Sequence, residues 1–128
     1  MKLNYDCIRD IMITLENELQ PGNEFQISLD ELSNKFFSEY LKEDVGYSLI
    51  KLKEAGYIDA VLVYDDLWEI FDVVCHDITF DGHKYLDAVK NSSVWADIKR
   101  KCKDKAIDLS FETILKVAAS ILIGKLTP

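Results

Sequence analysis

Leu49-Ile50-Lys51-Leu52-Lys53-Glu54-Ala55-Gly56-Tyr57-Ile58-Asp59, and after a hairpin-length interval Ile78-Thr79-Phe80-Asp81-Gly82-His83-Lys84-Tyr85-Leu86-Asp87, carry the reading of the fold. Leu49, Leu52 and Ala55 recur at helical spacing, and Gly56 supplies the left-handed stop that ends many helices. Tyr57 to Tyr64 then alternates weakly and is rich in β-branched residues, Asp65-Asp66 is a turn signal, and Trp68 to Ile78 reads as a second strand. From Thr79 the period is helical again. Thr79 is placed to cap, Asp81 favours the positive end of the helix, and Tyr85, Leu86 and Val89 face inward.

Upstream, Cys7, Ile8, Ile11, Met12, Leu15 and Leu19 mark one face of a helix within residues 3–19, which Pro21-Gly22-Asn23 stops. Phe25-Gln26-Ile27 is a short strand, and Ser28 with Glu31 forms a capping box that opens a helix from Leu29 to Phe36 or Phe37. A helix from Glu39 to Ala55 follows, with Tyr40, Leu41, Val45, Leu49 and Leu52 on its apolar side. Downstream, Asn91-Ser92-Ser93 breaks the chain before a helix over Val94–Ala106, and a last helix runs from Phe111 to Leu126. The fold class is α+β, mainly α. Helix, short strand, helix, helix, hairpin and helix is the order of a winged helix-turn-helix, here residues 1–91, with two extra C-terminal helices in residues 92–128.

The chain is similar to the DUF2513 family, small proteins found in prophages and other mobile elements. The matching residues are Met1-Lys2-Leu3-Asn4 with Asp6-Cys7-Ile8-Arg9-Asp10, then Tyr47 to Asp59, then Ile78-Thr79, Gly82-His83, Tyr85-Leu86-Asp87 and Val94-Trp95. The resemblance implies a fold and a genomic setting, without an assigned activity.

Charge narrows the function classes. The 128 residues carry a net charge of −8, of which residues 1–91 hold −11 and residues 92–128 hold +3. A duplex-DNA binder needs a cationic face to displace counterions from phosphates, so the charge balance disfavours DNA. No leader or membrane-spanning run is legible, which predicts a cytoplasmic protein without membrane contact. Cys7, Cys75 and Cys102 fit no disulfide framework. Cys75, His76 and His83, with Asp72 or Asp77, would be the metal candidates, but adjacent strand residues point to opposite faces, so no metal is expected. No phosphate loop, nucleophile elbow or HExxH motif is present, so neither enzymatic activity nor a cofactor is expected.

Three surfaces remain. The leading expectation, from the habit of the fold, is a prophage-type regulator that binds DNA or the transcription machinery; there Lys42, Tyr47, Ser48, Lys51 and Lys53 would lie on the recognition helix, with Lys99, Arg100, Lys101, Lys103 and Lys105 adding phosphate contacts. The alternative is a protein-binding module that inhibits a host or defence protein and could imitate nucleic acid; there the acidic hairpin residues Asp59, Asp65, Asp66, Glu69 and Asp72 would be the working surface. The last helix is apolar over a wide arc, and Phe111, Ile114, Leu115, Ala118, Ile121 and Leu122 are candidates for a homodimer contact.

Overall fold

The computed structural model describes residues 1–126. It is α+β and mainly α. The elements are α1 (Tyr5–Glu18), β1 (Phe25–Ser28), α2 (Leu29–Phe36), α3 (Lys42–Glu54), β2 (Ile58–Tyr64), β3 (Ile70–Ile78), α4 (Phe80–Val89), α5 (Ser92–Asp104) and α6 (Phe111–Leu126). The three strands form one antiparallel sheet in the order β1-β3-β2. Backbone contacts divide the chain into two compact units, one over Met1–His83 and one starting at Lys84. This division passes through α4.

In the first unit the helices begin where local chemistry satisfies their free amides. Asn4 caps α1 through Cys7 N–H at 3.0 Å, and Ser28 caps α2 through Glu31 N–H at 3.1 Å. Helix α3 departs from expectation. It begins at Lys42 rather than Glu39, with Leu41 at its cap position and no side-chain cap bond. Tyr40, expected on its apolar face, instead precedes the helix and donates its hydroxyl to Asp10 Oδ2 at 2.5 Å. That bond ties the α2–α3 connection to α1.

The core of this unit is a layer of Cys7, Ile8, Ile11 and Met12 from α1, Leu29 and Leu32 from α2, and Val45, Leu49 and Leu52 from α3. The inner sheet face adds Ile27, Ile58, Ala60, Leu62, Val73, Cys75 and Ile78. Alternation along β2 places Asp59, Val61 and Val63 outward, as period two requires. Register shifts between Asp59 and Ala60, and between Val63 and Tyr64, interrupt the β2–β3 ladder opposite His76 and Phe71. These shifts are bulges that sharpen the twist.

One junction joins helix, hairpin and helix. Gly56 turns the chain out of α3 at φ +75°. Thr79 N–H donates to Tyr57 O at 3.1 Å, the Thr79 hydroxyl donates to Gly56 O at 2.5 Å, and the same Oγ1 accepts Gly82 N–H at 3.0 Å. The first turn of α4 therefore rests directly on the end of α3. A Cβ at Gly82 would overlap the Tyr57 carbonyl oxygen and come within 2.8 Å of Ile78 Cγ2.

In the second unit, Asn91 Oδ1 accepts Ser93 N–H and Val94 N–H at 3.0 and 3.1 Å, so the expected break at Asn91-Ser92-Ser93 is the start of α5. Trp95, Ile98 and Cys102 of α5 and Ile114, Ala118 and Ile121 of α6 are buried where these helices pack. Tyr85 meets Phe111 edge-on at 5.1 Å. No helix among the described residues is long and apolar enough to cross a membrane.

Two measurements follow from this packing. Gly82→Ala must displace backbone rather than a flexible side chain, and overpacking of this kind costs about 3 kcal/mol or more; urea denaturation should show a lowered midpoint or loss of folding, and an unchanged midpoint would contradict the close approach. Burial pushes the Cys7 and Cys75 thiols up to about 11. A raised thiol pKa stabilises the fold below the ordinary thiol range and is lost as pH climbs through the folded value. Stability in urea should decline between about pH 9 and 11, and the double Cys→Ala variant should show a smaller decline.

Candidate interaction surface

The face expected to read bases is not arrayed for that task. Ser48 is fully buried beside Cys7, so it cannot touch any partner, correcting its place among the exposed candidates. It lies on the inward side of α3 with Val45, Leu49 and Leu52. The Lys42 ammonium is paired with Asp30, and this bond, with Glu69 and Asp65 adding to it, holds its pKa above the ordinary range. Lys51 Nζ lies 2.7 Å from Glu54 Oε2 and 5.2 Å from the centre of the Tyr47 ring. Lys53 is exposed. Two of the three α3 cations are thus neutralised by neighbouring carboxylates, which removes much of what phosphate would attract.

The cationic stretch on α5 belongs to the second unit. Arg100 pairs with Asp97 at 2.5 Å, and Lys99 Nζ lies 5.6 Å from the Trp95 ring centre. Lys101, Lys103 and Lys105 are exposed. On α6 the expected dimer face is divided. Ile114, Ala118 and Ile121 are buried within the chain, so they are spent on the fold; this corrects their assignment to an intermolecular contact. Phe111 and Leu115 are half-buried, while Leu122, Ile123 and Leu126 are exposed.

The hairpin carries the expected acidic surface. Asp59, Asp65, Asp66 and Glu69 are exposed, and Asp72 is half-buried, accepting Gln26 Nε2 at 2.8 Å. Asp65 is also part of the turn itself. Its Oδ1 accepts Leu67 N–H at 2.9 Å and Glu69 N–H at 3.0 Å, and its own N–H donates to Glu69 O at 2.8 Å. Substituting Asp65 would therefore loosen the loop as well as change its charge, which makes Asp66 and Glu69 the cleaner positions for charge reversal.

Two residues that sequence reasoning missed dominate this tip. Leu67 is 78% and Trp68 84% exposed, and Trp68 sits at φ +61°, a conformation normally left to glycine or asparagine. The strand begins at Ile70, so Trp68 is a loop residue and not the start of β3. The available signal was the spacing Asp65-Asp66-Leu67-Trp68-Glu69, in which an Asx-turn aspartate claims the next amides. Trp68 contacts the Tyr64 ring at 6.4 Å.

An open groove of about 360 Å³ lies between α3 and this tip, lined by Tyr47, Tyr64, Trp68, Glu43, Glu69 and Lys42 among others. Among the described residues no group of His, Cys, Asp and Glu is disposed to hold a metal. Cys75 is buried, whereas His76 is exposed and 3.1 Å from Glu24.

A left-handed tryptophan costs about 1–2 kcal/mol, and an aromatic pair returns about 0.5–1.5 kcal/mol. Trp68→Gly should therefore change unfolding free energy by less than about 1 kcal/mol. Trp95→Ala, at a site only 4% exposed, should cost about 3–5 kcal/mol. Thermal unfolding of both variants distinguishes a tip residue kept for contact from one kept for the fold.

The family model described as "Hypothetical protein (DUF2513)" matches residues 2–108. An uncharacterized protein of Haemophilus influenzae is 33% identical over 122 residues, covering 95% of this chain and 96% of the relative. No solved structure gives a significant match. With the match spanning the α3–hairpin–α4 junction and nearly all of the chain, this protein belongs to the DUF2513 family.

Proposed function

We propose that this protein is a non-enzymatic winged-helix module that binds another protein through its acidic wing, the β2–β3 hairpin. The single observation carrying this reading is the wing tip, where exposed Leu67 and Trp68 stand among Asp65, Asp66 and Glu69. Exposed aromatic and aliphatic side chains at a strained turn supply contact area, and carboxylates around them repel phosphate while attracting cationic protein surfaces. The winged-helix assignment is supported by the element order helix, strand, helix, helix, hairpin, helix, and by a three-stranded sheet with β3 in the centre. An inhibitor of a host or defence protein, and a mobile-element setting, are consistent with this surface and with the family.

The second reading is a DNA-binding regulator of prophage type. It is favoured by Lys99, Arg100, Lys101, Lys103 and Lys105 on and just after α5, the one cation-rich stretch of the sequence. Here Lys53 with Tyr47 would supply the contacts on α3.

Fluorescence anisotropy with random duplex DNA decides between them. No binding is expected even at low salt, and the Asp66→Lys/Glu69→Lys variant should lose any protein partner that the wild type retains while unfolding at the same temperature. DNA binding that falls steeply as salt rises, with wing variants unaffected, would overturn the protein-binding reading.

A further inference from the structure

We infer that the groove between α3 and the wing tip receives an arginine side chain of the partner protein. This rests on the protein-binding reading of the wing and names the chemistry it recognises. Three aromatic residues, Tyr47, Tyr64 and Trp68, and two carboxylates, Glu43 and Glu69, line the same open groove. Aromatic faces attract cations through the ring quadrupole, and Trp is the strongest of the three ring types. Guanidinium is the cation suited to such a site, because its planar fork stacks on a ring while pairing with a carboxylate at its edge.

Charge complementarity selects this occupant over an apolar one. Asp65 and Asp66 extend the negative potential along the loop that holds Trp68 and Glu69. Lys42 also lines the groove, and its ammonium is bound to Asp30, so its repulsion of an incoming cation is offset. The chain already displays the same recognition on a small scale, with the Lys51 ammonium 5.2 Å from the Tyr47 ring centre. Gly46 brings the α3 backbone to the groove without a side chain, and Ile70 lies beneath it. Trp68 holds its positive-φ conformation at the groove, where its ring is one of the lining faces.

The test uses the intact protein and fluorescein-labelled hexa-arginine, followed by anisotropy at physiological salt. The wild type should bind hexa-arginine more tightly than hexa-lysine. Trp68→Gly and, separately, Glu43→Gln/Glu69→Gln should each weaken hexa-arginine binding about tenfold. Glu18→Gln/Asp81→Gln, which removes two charges outside the groove, should change it less than about twofold. Equal loss in both double variants, or unchanged binding by Trp68→Gly, would mean general attraction to an acidic protein and would overturn the groove assignment. Absence of hexa-arginine binding would do the same. If the wing charge reversals still abolished a protein contact, the broader reading would survive that failure.

Discussion

The carbonyl group of Tyr57, pressed against the α-carbon of Gly82, is the contact on which the arrangement of the first unit turns. It can exist only because position 82 has no side chain and because Gly56 reverses the chain just before it. Thr79 then holds the approach, donating its amide to Tyr57 O and its hydroxyl to Gly56 O while its oxygens accept Gly82 N–H and His83 N–H from its own helix. The β2–β3 hairpin leaves and returns at this point, so its direction is set by backbone contacts at its base. The tip is consequently free to carry residues chosen for something other than packing.

Much of this was legible in the sequence because the signals are local. Gly56, the Ser28–Glu31 capping box and Thr79 each act over three or four residues, and the helix end that each one sets lies within a residue of its expected place. Where expectation failed, the cause was tertiary. Tyr40 looked helical by spacing, yet its hydroxyl is committed to Asp10, thirty positions away. The break read at Asn91-Ser92-Ser93 does separate α4 from α5, and the local cap of Asn91 only starts α5 two residues before the expected Val94.

The candidate surface was half legible. Composition along the hairpin revealed its carboxylates, since charge is a property of the residue list. It did not reveal which charges are already answered, and pairing of Lys42 with Asp30 and Lys51 with Glu54 changes the character of α3. Ser48 and the buried half of α6 show the same limit: period identifies a face, but burial depends on what comes to cover it. Trp68 was hidden for a different reason. A β-prone aromatic beside a strand is normally counted into that strand, and only the Asp65 turn places it outside.

The two irregularities in the β2–β3 ladder also bear on how this protein survives at high concentration. Strand β2 is an edge of the sheet and carries Val61 and Val63 on its open face, a combination that in a flat strand would recruit further copies into a growing sheet. Interruptions near each end twist that edge away from flat pairing, and Asp59 and Asp65 flank it with like charges. An apolar strand can thereby remain uncovered without seeding fibres. Removing the extra residue from either irregularity would straighten the edge and make the protein aggregation-prone.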